Sequence, residues 1–395
     1  MTQTLLSLSD ADWPRRDGLR ALTGALGADN IRWVGGAVRD TLIGMPVHDV
    51  DCATLHTPDS VIDLCAKAGI RTVPTGIDHG TVTAVMDDGP VEVTTLRRDV
   101  ATDGRRATIT FADRWEDDAA RRDFTINALY AHPETLEVSD YFGGLDDLAV
   151  RRLRFIGDAR ERIAEDHLRI LRYFRFQARF GADLDAEAEE ACADLADTLK
   201  GLSRERIASE VIGLLSLPDP HSTVARMREH GVLGVILPES TAAHVAGLAK
   251  LIKQEAAQGF APDALRRLAA LLPPSPDVSE AVAVRLRLSR AQRARLKSAA
   301  ERLSEDAADT RGLAYRIGVG GAADRLLLMG QDARAIAQWD PPQFPLKGGV
   351  IVERGVAAGP DVARILRTVE RRWVDEGFPD MSRIEQLLTE ELPQS

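Results

Sequence analysis

From Ile31 to Phe155 short apolar runs alternate with turns: IRWVGG, DVDCATL, TVTAVM and VEVTTLR read as strands, and VIDLCAKAG between them reads as a helix. After Gly157 the period changes. EDHLRILRYFRFQARF, AEAEEACADLADTLKGL, SRERIASEVIGLLSL and STVARMREHGVLGVIL repeat apolar positions at helical spacing, and strand signals nearly vanish. Pro218 to Pro220, Pro273 to Pro276 and Pro341 to Pro345 cut the helical part into segments. The pattern predicts an α+β head over residues 1–155, then a mostly α-helical neck over 156–217 and a helical body and tail over 218–395. No repeat period is visible, so a solenoid is excluded.

Length agrees with that division, because 395 residues exceed one ordinary core and correspond to roughly two to three domains. No run of eighteen apolar residues occurs, and MTQTLLSLSDADWP lacks a basic segment followed by a long apolar one. The expectation is a soluble, cytoplasmic protein with no membrane partner and no obligate protein partner. Cys52, Cys65 and Cys192 form no C-x-x-C pair, so neither a disulfide framework nor a zinc site is indicated.

A net charge of -11 weighs against a nucleic-acid partner, since phosphate contacts need clustered Lys and Arg. Distribution changes that picture. Arg151 to Phe180 holds nine arginines against four acids, whereas Asp183 to Asp197 holds seven acids and no base. A basic surface beside an acidic, solvated helix face is compatible with the total.

Candidate chemistry concentrates first in WVGGAVRDTLIGMPVHDVDCAT, from Trp33 to Thr54. Alternate strand residues point the same way, so Asp49 and Asp51 present two carboxylates to hard cations while Val50 turns inward. Gly35 and Gly36 supply a sharp turn with open N–H groups where phosphate oxygens can approach. Taken alone, D-x-D is an ordinary solvated strand edge. The second block, RRDFTINALY from Arg121 to Tyr130, also reads as a helix start with Asp123 favourable toward the macrodipole. In the third block, EDHLRILRYFRFQARF, Arg169, Arg172 and Arg175 recur every three residues and form one basic helix face, interleaved with Phe174, Phe176 and Phe180.

The ordering G-G-x-V-R-D, D-V-D, R-R-D-F-T-x-N-A and E-D-x-x-R-x-x-R resembles the nucleotidyltransferase superfamily, and within it the bacterial CCA-adding tRNA nucleotidyltransferases and poly(A) polymerases. The resemblance covers about Leu22 to Phe180 with specific motifs and the helical remainder more loosely. It implies a nucleotidyltransferase-type mixed sheet with flanking helices, and addition of C and A to the 3′ end of tRNA from CTP and ATP. Two magnesium ions held by Asp49 and Asp51 are implied, with no covalent enzyme intermediate. Gly36 and Arg39 would cradle phosphates, while Arg122, less strongly Arg121, and Arg172 with Arg175 would meet the sugar and triphosphate. Asp166 and Arg169 would read the base. Adenine and cytosine each offer an exocyclic amine beside a ring acceptor, which suits a carboxylate and a guanidinium; uracil and guanine reverse that pattern. Each mismatched buried polar group costs about 1–3 kcal/mol.

Glu92 in VEVTTLR is the candidate third carboxylate, with an outward-facing strand residue as the alternative. The segment RRDVATDGRRATITFADR, Arg97 to Arg114, is expected as a mobile loop; by resemblance it assists the switch from C to A, and its D-G-R-R element favours full CCA addition. His48-Asp49 lacks the further helical ligands of a metal phosphohydrolase, and the glycines of YFGGLDDL read as structural. The acidic body would dock the tRNA acceptor end mainly by shape. Two alternatives stay open: a poly(A) polymerase, whose relatives commonly carry a basic extension where this chain has QLLTEELPQS, and a non-catalytic RNA-binding module. Paired metal ligands argue against the second.

Overall fold

The computed structural model describes residues 5–102, 107–180 and 184–392. Among the described residues nine strands form: β1 Ile31–Val34, β2 Val50–Thr54, β3 Arg71–Gly76, β4 Thr81–Val85, β5 Val91–Thr95, β6 Arg97–Thr102, β7 Ala107–Phe111, β8 Leu129–Ala131 and β9 Val138–Asp140. Seven of them make one mixed sheet in the order β3-β4-β5-β2-β1-β8-β9, and β6 with β7 makes a separate hairpin. The pattern of strand then turn then strand is thus realised as expected. Among the described residues only β2 and β5 pair in parallel, which sets Asp51 beside Glu92.

Alternation along β2 works as the sequence implies. Val50, Cys52 and Ala53 are buried, and Asp51 is the exposed interruption. The flanking β1 contributes Ile31, Trp33 and Val34 to the core, and each such fully buried side chain contributes about 1.5–3 kcal/mol relative to exposure. The helix Pro58–Lys67 packs on this sheet through Val61 and Cys65.

Two expectations are corrected here. NALY, read as the start of an apolar helix, is a 3₁₀ turn at Thr125–Asn127 followed by β8, whose three residues are all fully buried. A strand covered on both faces shows no alternation, so its period cannot be told from a helix. The segment Arg97 to Arg114, expected as a loop, carries the paired strands β6 and β7. Its D-G-R-R element, residues 103–106, lies outside the described residues.

The chain divides into two compact units, Met1–Glu210 with Ser222–Ile236, and Val211–His221 with Leu237–Ser395. The first holds the sheet and the helices Ala159–Glu165 and Arg169–Phe180, so head and neck share one unit up to Glu210. The second is helical, with one core around Leu313, Leu326 and Ile336 and another around Ile365, Trp373 and Leu387. Among the described residues no helix is long and apolar enough to cross a membrane.

Candidate active site

Strand β1 ends at Val34 and the chain turns at Gly35, whose φ of 65° and ψ of -121° suit glycine alone. A Cβ there would stand 3.4 Å from Arg122 Nη1. That distance is an ordinary contact, so the backbone conformation and not space requires glycine, and the turn leads into the helix Gly36–Leu42. Strand β2 then returns antiparallel to β1 with Asp51 paired to Val34.

A cavity of about 470 Å³ opens at this point, and it is lined by most of the residues singled out from the sequence: Gly36, Arg39, Asp49, Asp51, Arg122, Arg172 and Arg175. Three groups spread over more than a hundred positions thus meet at one recess. Asp40, Asp123, Asn127 and Arg179 also line it and were not singled out. Arg179 extends the arginine series by four positions and Asp40 directly follows Arg39, so spacing alone contained their signal. Glu210, which holds Arg175, had none.

Opposing charges organise the recess. Asp123 accepts from Arg172 Nε at 2.7 Å and from Asn127 Nδ2 at 3.0 Å. Burial would push the Asp123 carboxyl up, but Arg172 and Asn127 outweigh it and hold it below the usual carboxylate range. Glu210 accepts from Arg175 Nε at 2.6 Å, and Asp40 from Arg179 Nη2 at 2.6 Å. Arg122 donates to the Tyr130 hydroxyl at 2.8 Å and lies 3.4 Å from Asp118. Arg121 also pairs with Asp118, at 2.7 Å, and does not line the cavity.

Asp51 stands apart because its environment resists its charge. Burial first, then the charges of Glu92 and Asp49, push its carboxyl above the usual value, with Arg122 pulling the other way. A magnesium ion fits that donor set: two hard carboxylates with excess negative potential, in a recess also lined by Arg122, Arg172 and Arg175. Among the described residues no three His, Cys, Asp or Glu are grouped to hold a metal. Magnesium characteristically takes one or two carboxylates and completes its shell with water and substrate phosphates. Glu92 stands opposite Asp51 on the neighbouring strand and acts on it through charge, and it lies outside the cavity lining.

Arg39 differs from its expected role as a phosphate cradle. It is buried, donates from Nε to Asp40 at 2.7 Å and from Nη1 to Asn127, and lies over the rings of Phe176 and Phe180 at 5.2 and 4.7 Å. Its guanidinium is committed to protein partners and fixes the cavity floor.

The base-reading pair is also arranged differently from expectation. Asp166 ends the helix Ala159–Glu165 in an extended conformation and precedes the helix Arg169–Phe180, so the E-D-x-x-R motif spans a break rather than one helix. Asp166 pairs with Arg206 at 2.6 Å. Arg169 pairs with Glu165 at 2.6 Å and donates to the Arg121 carbonyl at 3.0 Å. Neither lines the cavity.

Comparison with known proteins agrees with this geometry. Residues 31–154 match the family model described as the poly A polymerase head domain, and residues 181–244 match a probable RNA and SrmB-binding site of polymerase A. The mitochondrial CCA tRNA nucleotidyltransferase 1 of Mus musculus is 34% identical over 384 residues, spanning 92% of this chain and 87% of that protein. The CCA-adding enzyme of Streptococcus pyogenes is 43% identical over 49% of this chain and 48% of its own. A structure of the Bacillus stearothermophilus CCA-adding enzyme in complex with CTP aligns with a TM-score of 0.71 at 25% identity, over 95% of this chain and 98% of that one. The Thermotoga maritima enzyme complexed with tRNA shares the fold, with a TM-score of 0.70 at 19% identity over 98% of this chain and 99% of that one. With motifs, fold and near full-length identity in agreement, the chain belongs to the CCA tRNA nucleotidyltransferase family.

Proposed function

We infer that this protein adds C and A nucleotides to the 3′ end of tRNA from CTP and ATP, without a nucleic-acid template and with release of pyrophosphate. One observation carries the reading: a single recess gathers Asp49 and Asp51 with Arg122, Arg172 and Arg175. Asp49 and Asp51 are the residues that would hold magnesium, with two ions expected. When bound, magnesium supplies a lowered pKa for the RNA 3′-hydroxyl and charge neutralisation on the triphosphate.

The chain's own groups do the remaining work. Arg172 and Arg175 spend part of their donor sets on Asp123 and Glu210, and a guanidinium carries five N–H groups. The remaining donors serve triphosphate oxygens, and Arg122, anchored by Tyr130 and Asp118, adds a third fixed charge. Arg39 holds Asn127 and Asp40 in place beneath them. Attack by the RNA oxygen on the α-phosphorus forms the new O–P bond as the bond to pyrophosphate breaks. Asp166 and Arg169 select C or A after exchanging Arg206 and Glu165 for the base edge, an arrangement that belongs to the nucleotide-bound protein.

The acceptor end of tRNA is the RNA substrate in this reading, with the helical body and tail as its docking region. Three buried free thiols, Cys52, Cys65 and Cys192, support a reducing, cytoplasmic setting. The test incubates the protein and magnesium with tRNA ending before, or partway through, CCA, with CTP, ATP or both. Completion of CCA and then arrest is expected. Long A tails overturn it in favour of a poly(A) polymerase, and arrest after two C residues with both nucleotides present reduces it to partial addition.

A further inference from the structure

The helical unit contains a cavity of about 640 Å³, within the roughly 300–1,000 Å³ range of small-molecule sites. Its lining includes Lys250, Lys253 and Arg302 and no aspartate or glutamate. In a chain with 61 acids against 50 bases, a wall with three cations and no carboxylate runs against the average. Lys250 and Lys253 lie three apart on the helix Ala242–Gln258 and so share a face. Arg302 follows the helix Arg290–Ala300, is half-buried, and donates from Nη1 to the Ala299 carbonyl at 3.2 Å.

Burial pulls the Arg302 guanidinium below its usual pKa, with no carboxylate acting against that pull. A desolvated cation without a counter-charge is costly unless an anion joins it. The lining also has apolar members. Leu251, Leu272 and Leu327 are buried behind it, and Leu328 and Met329 are half-buried along it. Gln254 and Gln258 already donate to the carbonyls of Gly330 and Gln331, and His244 spends Nδ1 on Thr241, so the charged groups of the lining are Lys250, Lys253 and Arg302.

We propose that this cavity is a second nucleotide-binding site, taking a nucleoside phosphate with its phosphate among Lys250, Lys253 and Arg302 and its base against Leu328 and Met329. Inorganic phosphate alone satisfies only half of the wall, so a nucleoside monophosphate binds more tightly than phosphate. The site is separate from the transfer recess and does not rest on the transfer reaction.

Equilibrium dialysis of the full-length protein against labelled ATP or AMP, with magnesium and without RNA, tests it by stoichiometry. Two nucleotides per chain are expected for the unaltered protein. The pair Lys250→Ala and Lys253→Ala weakens the second site roughly tenfold or more, while Lys250→Arg with Lys253→Arg retains it, which a misfolded protein does not. Arg172→Ala with Arg175→Ala weakens the other site only. A stoichiometry of one in the unaltered protein overturns the proposal. So does a Lys250 and Lys253 alanine pair that lowers tRNA affinity with nucleotide stoichiometry unchanged, because the cations then serve an RNA strand.

Discussion

Both units of this protein are built around arginine–carboxylate pairs, yet the pairs differ in what they leave open. In the sheet-containing unit Arg172, Arg175 and Arg179 keep 32%, 25% and 27% of their side chains exposed while pairing with Asp123, Glu210 and Asp40. In the helical unit Arg266 and Arg267 are 6% and 1% exposed and share Glu255, while Asp324 binds Arg266 and Arg295. Arg267 also donates to the carbonyls of Leu215 and Pro218. The first set lines a recess with donors to spare; the second is saturated and holds backbone. The same chemistry faces an open recess in one case and is closed into the fold in the other.

The sharpest break of this comparison is Asp51→Asn. Loss of roughly 10³-fold or more in nucleotide addition is expected, because a metal-holding charge contributes several kcal/mol to the transition state. Single-turnover extension of tRNA measures it, with tRNA binding retained as the control for a folded protein. Stability moves the other way. A carboxyl held above its usual pKa disfavours the folded state once pH rises through that raised value, so the variant matches or exceeds the parent in Tm at neutral pH.

Arg267→Ala inverts that outcome. It strands Glu255 in the core beside Arg266 alone and frees three backbone carbonyls, so a loss of about 3–5 kcal/mol is expected from urea unfolding of the helical unit. A variant of unchanged stability would sink the claim that this network is structural. A smaller change follows Arg172→Ala. The kcat/KM for CTP and ATP falls by about 10–150-fold, the equivalent of about 1.5–3 kcal/mol for a charge-assisted contact, with the larger share in KM.

The smallest effect concerns pH. Arg122, Arg121 and Tyr130 overcome burial and hold Asp118 below the usual carboxylate range. The stability it contributes is therefore full above the unfolded carboxylate value, about 4, and is lost as pH falls through the lower folded value. The Tm difference between the parent and Asp118→Asn is present at neutral pH and shrinks in acid. A difference independent of pH would remove Asp118 from the charged set.

Legibility in the sequence followed the same division. Strand alternation placed Val50 inward and Asp51 outward, and arginine spacing placed Arg172 and Arg175 on one helix face, because both signals are local; that this face meets the recess came from the family resemblance, and Arg169, equally spaced, lies outside it. The partners were not local. Glu210 reaches Arg175 across 35 positions and Asp40 reaches Arg179 across 139, distances over which no periodicity acts. The break at Asp166 escaped for a different reason: the residues on either side have helical spacing, and only the turn at residues 166–168 separates them.

Arg39, Asp40 and Arg179 have a consequence for ionic strength. Two guanidiniums share one carboxylate, leaving a net positive charge, and the Phe176 and Phe180 rings keep water and mobile ions away from its deepest member. Counterions screen charges they can approach, not one walled in by aromatic carbon. Added salt therefore leaves the Arg39–Asp40 pair, 4% and 8% exposed, in place at concentrations that screen Arg179, which is 27% exposed.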